Sequence, residues 1–255
     1  MSEYLNAPSP VAFAHRGGAW EGIENSFEAV ERCVELGYRY IETDVHLSRD
    51  GQVIAVHDPS LDRTTDRRGR IRDLSWNEIS QARIGGVARI PRLTDLLEEF
   101  PDLCFNVDAK VADVVVPLVQ LIQAGGPSVA DRICLASFSD ARLRKMRTLT
   151  HGKVATSMGQ AEVTRLRAAS FMRTSLKALR FPGDAAQVPM SVRGRRVVDR
   201  RFVESAHQIG KKVHVWTVDD PDDMRALLDL GVDGIITDEP AVLKDVLVDR
   251  GQWRA

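Results

Sequence analysis

Residues 40–46 read YIETDVH, a run of strand-forming residues (Tyr40, Ile41, Thr43, Val45) that also carries two acids, Glu42 and Asp44. Successive side chains of a strand alternate faces, so Glu42, Asp44 and His46 share one side while Ile41, Thr43 and Val45 share the other. The two carboxylates therefore converge. Working outward, short strand-like runs alternate with segments of helical period along the whole chain. The strands are VAFAH (11–15), YIETDVH, LCFNVDAK (103–110), RICLASFS (132–139), KVATSMG (153–159), AAQVPMS (185–191), KVHVWTV (212–218) and GIITD (234–238). Between and after them lie helical segments such as 24–37, 92–100, 140–149 and 199–210, several closing on glycine.

Eight strands each followed by a helix, in 255 residues, give the arithmetic of an α/β (β/α)8 TIM barrel in one domain spanning 1–255. An open doubly wound sheet is the competing architecture, but it places a glycine-rich phosphate loop after its first strand, and HRGG (15–18) is not GxGxxG. The main irregularity follows the second strand. LSRDGQVIAVHD reads as a hairpin turning at Asp50-Gly51, and a polar stretch then forms a small insertion at about 58–91.

Composition excludes several functions. Thirty-five basic against 36 acidic residues leave a net charge of −1, too little to hold nucleic acid or an anionic membrane by bulk field. The basic run VRGRRVVDRR (192–201) has no interleaved aromatic residue and reads as a solvated loop and first helical turn. The three cysteines, Cys33, Cys104 and Cys134, form neither a CxxC pair nor an even framework, which fits a reducing compartment. With no signal-peptide core and no apolar stretch of bilayer length, the expectation is a soluble cytoplasmic protein without stable membrane association.

In a barrel of this kind the site lies at the C-terminal ends of the strands, and the polar residues of this chain collect there. His15 and Arg16 end the first strand, Glu42 and Asp44 lie on the second, Asp108 and Lys110 on the third. Ser137, Gln187, Trp216 and Asp238 fall at the fourth, sixth, seventh and eighth. Three converging acids, Glu42, Asp44 and Asp108, repel one another unless a positive charge sits among them. Oxygen-only ligands point to Mg2+ or Ca2+, and pairing with Arg or Lys is the alternative. Arg16 and Lys110 beside a cation make a site for a phosphate or phosphodiester. His15 and His57 suit paired acid and base work near neutral pH, with Asp58 placed to orient His57.

The ordered set HRGG, EN (24–25), ETDV (42–45), HD (57–58) with LDRTT, and NVDAK (106–110) resembles the glycerophosphodiester phosphodiesterase family, and the likeness continues through ASFS, QVP, VWTVDD and GIITDEP. The resemblance implies a (β/α)8 barrel that hydrolyses glycerophosphodiesters to sn-glycerol 3-phosphate and an alcohol with a divalent metal. It implies His15 and His57 as acid/base pair, Arg16 and Lys110 as phosphate clamps, and Glu42, Asp44 and Asp108 as metal ligands. Glu24 would help orient the site, Trp216 would wall the substrate, and the insertion would cover its glycerol end. By the same resemblance, the glycerol 2-hydroxyl would attack phosphorus and water would open the resulting cyclic phosphate. One departure stands out: the third acid is commonly Glu, and Asp108 is a methylene shorter. The rival readings are a phospholipase D-like activity on lysophospholipids and a non-catalytic phosphate-binding barrel. The polar insertion, with only Leu74, Trp76 and Ile79 as apolar contributors, favours a water-soluble substrate.

Overall fold

The computed structural model describes residues 2–19, 22–171, 176 and 179–254. Eight parallel strands, β1 (Val11–His15), β2 (Tyr40–Leu47), β3 (Cys104–Ala109), β4 (Ile133–Ala136), β5 (Ala155–Thr156), β6 (Ala185–Pro189), β7 (Lys212–Trp216) and β8 (Gly234–Thr237), lie in the order β5-β4-β3-β2-β1-β8-β7-β6. A single parallel bridge between Ser157 and Ala185 joins the two ends and closes the ring. The fold is the expected TIM barrel.

Each strand feeds a helix: α1 (Phe27–Glu35), α2 (Leu93–Glu99), α3 (Val115–Ala124), α4 (Asp140–Leu149), α5 (Gln160–Ala169), α6 (Arg200–Gln208), α7 (Pro221–Asp229) and α8 (Pro240–Asp249). Their starts are written in the sequence. Ser26, Ser139, Asp199 and Asp220 accept hydrogen bonds from the first-turn amides of α1, α4, α6 and α7, while Pro221 and Pro240 take the first helical positions of α7 and α8. The helices bury one face each against the strands, in two apolar clusters that divide the barrel wall between β1–β4 and β6–β8.

The barrel interior is filled from below. Phe13, Tyr40, Cys104, Cys134, Ala155 and Ile236 form a floor, sealed by Tyr4 from the short helix Glu3–Asn6. All three cysteines are free and buried, and burial pushes the Cys33 thiol up to about 12. They are packing residues.

The strand endings expected from sequence run long. KVATSMG contributes only Ala155 and Thr156 to β5, and beyond it Gly183 passes so near Met158 that a Cβ there would meet Met158 N and Cα at 2.7 Å. Met158 N–H then bonds Ala185 O, and Asp184 N–H bonds Thr156 O. The hairpin after β2 is as read: Val53–Ala55 runs antiparallel to Val45–Leu47, with Gly51 at φ 82° in the turn. The insertion beyond it packs Leu61, Ile71, Ile79, Ile84 and Ile90 in one cluster with Ile54 of the hairpin and Ala29 of α1. The basic run forms a small exposed hairpin, Ser191–Val192 against Arg195–Arg196, ahead of α6.

Candidate active site

Strand register assembles the polar mouth. His15 sits beside Glu42, Glu42 beside Asn106, and Asp44 beside Asp108 on adjacent parallel strands. The chain after β1 then turns sharply through three residues with positive φ, Arg16 at 55°, Gly17 at 79° and Gly18 at 80°. Only glycine takes such angles without strain, and a Cβ on Gly18 would also lie 2.7 Å from Pro240 Cγ. Arg16 itself is held there by the Asn25 N–H, which bonds its carbonyl at 2.7 Å. The turn aims the Arg16 side chain back over the acids.

Asp44 and Asp108, directly opposed like charges, would destabilise the pair without a counter-ion. Lys110 Nζ supplies it, 2.6 Å from Asp44 Oδ1 and 2.8 Å from Asp108 Oδ2, and Arg16 Nε pairs with Asp44 Oδ2 at 3.1 Å. The Arg16 contact is an ion pair without hydrogen-bond alignment, since that Nε has no hydrogen-bond partner. Burial favours a neutral Asp44, but Lys110 and Arg16 outweigh it and lower its pKa. Glu42 lacks such partners: burial first, then the Asp44 charge, push it up to about 8. The alternative of cation pairing is thus realised in part, at Asp44 and Asp108.

Among the described residues, no group of three or more His, Cys, Asp or Glu side chains is gathered at cation-binding spacing. The donor chemistry nevertheless suits a hard divalent ion. Glu42, Asp44 and Asp108 are buried carboxylates on one side of the mouth, Asp108 Oδ1 has no hydrogen-bond partner, and the charge on Glu42 is under-compensated.

Both histidines are oriented by carboxylates. His15 Nδ1 lies 2.7 Å from Asp238 Oδ1 and its Nε2 3.8 Å from Glu42 Oε2. Burial works against the charged ring, but the bond to Asp238 and the charges of Glu42 and Asp238 prevail and raise its pKa. His57 Nδ1 lies 2.6 Å from Asp58 Oδ1. Asp58 is bound in turn by Arg63, Nε to Oδ2 at 2.6 Å, and this bond above all, assisted by His57, lowers its pKa to about 2. Arg63 also reaches Glu24 at 2.7 Å, and Glu24 accepts from Arg16 at 3.2 Å. Glu24 therefore stands behind Arg16, in an alternating chain Arg16–Glu24–Arg63–Asp58–His57.

His15, Arg16, Glu42, Asp44, His57, Asp108, Lys110 and Trp216 all line one cavity of about 840 Å3. Its floor is Asn106, whose Oδ1 accepts from Gln187 Nε2 at 2.9 Å and from the Tyr4 hydroxyl at 3.3 Å. Phe138 meets the Trp216 ring edge-on at 5.4 Å and lies under the Lys110 ammonium at 5.8 Å. Sequence reasoning missed Arg63 and the pairing of Asp238 with His15; LDRTT and the polar end of GIITD were the available signals. The insertion reaches the site through Arg63. The cavity lining includes none of the residues 58–91, whose buried apolar side chains pack in a cluster with Ile54 and Ala29.

Comparison with known proteins gives the assembly its context. The Glycerophosphoryl diester phosphodiesterase family matches residues 15–242. A "Probable glycerophosphodiester phosphodiesterase 2" of Mycobacterium tuberculosis is 37% identical over 254 residues, covering 98% of this chain and 96% of that protein. A "Glycerophosphodiester phosphodiesterase" of Caldanaerobacter subterraneus is 31% identical over 247 residues, with 91% and 96% covered. Among solved structures, an Oleispira antarctica phosphodiesterase in complex with the product sn-glycerol-3-phosphate has the same fold, with a TM-score of 0.76 at 21% identity and 94% and 97% covered. With the family pattern spanning most of the barrel and relatives aligned over nearly their full length, the chain belongs to the glycerophosphoryl diester phosphodiesterase family and is a phosphoric diester hydrolase.

Proposed function

We propose that the protein hydrolyses glycerophosphodiesters to sn-glycerol 3-phosphate and an alcohol, using His15 and His57 as acid/base pair and a divalent cation, Mg2+ or Ca2+, held by Glu42, Asp44 and Asp108. The observation that carries this reading is the arrangement of two imidazoles, each with Nδ1 against a carboxylate, around a buried group of three acids and two fixed cations. A bound cation supplies Lewis-acid polarisation of a phosphoryl oxygen and compensates the charge of the three acids.

The chain's own residues account for the rest. Arg16 and Lys110 attract the phosphoryl oxygens, and Glu24 holds Arg16 in place. Asp238 and Asp58 engage the two Nδ1 atoms, so Nε2 is the proton-transferring atom of each ring. As the glycerol 2-hydroxyl oxygen bonds to phosphorus, one histidine takes its proton and the other gives a proton to the departing alcohol oxygen. Water then adds to the cyclic phosphate with the roles exchanged, breaking the bond to O2 and returning both rings to their starting states. Trp216, braced by Phe138, walls the substrate.

The test measures glycerol 3-phosphate release from glycerophosphocholine, glycerophosphoethanolamine and glycerophosphoglycerol after chelation and again with Mg2+, Ca2+ or Mn2+ restored. Calorimetric binding of the metal alone should be lost in Glu42→Ala. Alanine at His15 or His57 should lower kcat roughly 100-fold or more with KM nearly unchanged. Full turnover in His57→Ala would remove that residue from the mechanism, and equal rates with and without metal would remove the cation.

A further inference from the structure

We propose that the cavity rim formed by the exposed hairpin Ser191–Arg196 and the residues that end α5 docks the protein on an anionic lipid surface, with the barrel mouth facing the headgroups of a membrane. Such docking is independent of the reaction proposed above.

Charge on this rim has one sign. The run 191–201 carries five arginines against one acid, Asp199, and Asp199 is already paired with Arg167 at 2.8 Å. Arg193, Arg195, Arg196 and Arg200 are exposed, and among the described residues none of them meets a carboxylate at ion-pair distance. Strand register pairs Ser191 with Arg196 and Val192 with Arg195, which leaves Arg193 and Gly194 as a two-residue turn with φ values of 50° and 75°. Asn, Asp or Gly takes the first of those positions at least cost, yet an arginine holds it at the tip of the hairpin. The chain as a whole, at a net charge of −1, has no attraction to anions. Unpaired cations gathered within a few residues are nevertheless felt by a charged surface that comes within a Debye length, about 8 Å at physiological salt.

Apolar side chains stand among these cations. Of seven large apolar residues exposed among the described residues, three line the cavity: Phe138, Phe171 and Val192. The mouth is thus rimmed by apolar as well as basic groups. Phe171 is 58% exposed, and the guanidinium carbons of Arg167 and Arg201 lie 4.4 Å and 6.0 Å from its ring centroid. The aromatic residue that the basic run lacks in its own sequence is therefore supplied by the fold, from the end of α5. Apolar tips set among guanidiniums suit a bilayer, whose phosphates meet the charge and whose interface takes up the side chains. Nucleic acid fits less well, because Arg167 covers a face of the Phe171 ring on which a base would stack and Val192 offers no such face.

Co-sedimentation of the full chain with vesicles tests the surface. The protein should bind vesicles of equal parts phosphatidylglycerol and phosphatidylcholine, ignore pure phosphatidylcholine, and be released as salt rises from about 0.05 M to about 0.5 M. Each arginine removed should lower the partition coefficient about fivefold, so that R195Q with R196Q loses about 25-fold. Phe171→Ser should lower it about tenfold, a loss that persists at every salt concentration. Arg193→Asn suits the turn better, and should bind about fivefold more weakly while melting at the same temperature or higher, which separates lost charge from a damaged fold. The control is R67Q with R68Q, exposed arginines of the other basic run, 62–73, where three acids accompany five arginines; it should bind like the wild type. No binding to phosphatidylglycerol vesicles, an equal loss in the control, or displacement from the vesicles by an equimolar single-stranded oligonucleotide overturns the docking. Vesicle binding by a protein that cleaves no diester upholds the docking and sinks the proposed reaction.

Discussion

Lowering the pH should destabilise this barrel, with His214 as one identifiable contributor. The ring lies inside the barrel, 3% exposed, against Phe13 at 4.8 Å between centroids, with Nδ1 3.4 Å from Gln187 Nε2. Burial above all depresses its pKa, from 6.5 to about 4, with Asp233 opposing and Lys212 adding to the fall. Below pH 6.5 the unfolded chain takes up a proton that the native ring refuses until pH approaches 4, so stability present at neutral pH is lost as pH falls through that window. Each pKa unit is worth about 1.4 kcal/mol, which makes the loss about 3 kcal/mol between pH 7 and pH 4. Urea unfolding of the wild type and of His214→Gln, at half-unit steps from pH 7 to pH 4, isolates the effect from the carboxylates that titrate in both proteins. The stability difference between them should shift by about 3 kcal/mol in favour of the variant. Parallel curves would refute the assignment.

Arg63→Ala removes the bonds to both Asp58 and Glu24, and should lower kcat roughly 10- to 100-fold, with Arg63→Lys rescuing only in part because a shorter side chain with one ammonium lacks the planar fork that grips both Asp58 oxygens; steady-state kinetics decide it. Asp238→Asn should lower kcat and move the His15 titration, followed by NMR, to lower pH, because the bond and charge that raise that pKa are weakened. Gly18→Ala combines a φ of 80° with a Cβ 2.7 Å from Pro240 Cγ, so calorimetry should show a fall in Tm of about 3 °C or more.

The alternation of strands and helices was plain in the sequence because each barrel strand is short and most helices carry their own caps or closing glycine. YIETDVH was informative for a further reason. Its period-two acids only make sense if one face of the strand looks into a shared polar space, and the register with NVDAK bears that out. Local pattern could not show how far a loop reaches. Arg63 lies in an insertion that packs on itself, yet its side chain returns to the site, and nothing in LDRTT reveals the distance it spans. The side of the cavity opposite β1–β3 is likewise assembled from α5, the turn before it and the hairpin near residue 192, segments that neighbour one another only after the ring closes.

That closure is uneven. β2 and β3 are paired along six residues, from Tyr40 with Cys104 to Val45 with Ala109, whereas β5 and β6 meet through the one Ser157–Ala185 bridge. Amide protons on either side of this seam, at Met158 and Asp184, should therefore exchange with solvent deuterium ahead of those in β2 and β3. The seam also borders the cavity through Ser157 and Met158. The line along which the ring breathes most easily is thus one that an occupant of the cavity would brace, and its deuterium uptake becomes an inbuilt gauge of whether the cavity is filled.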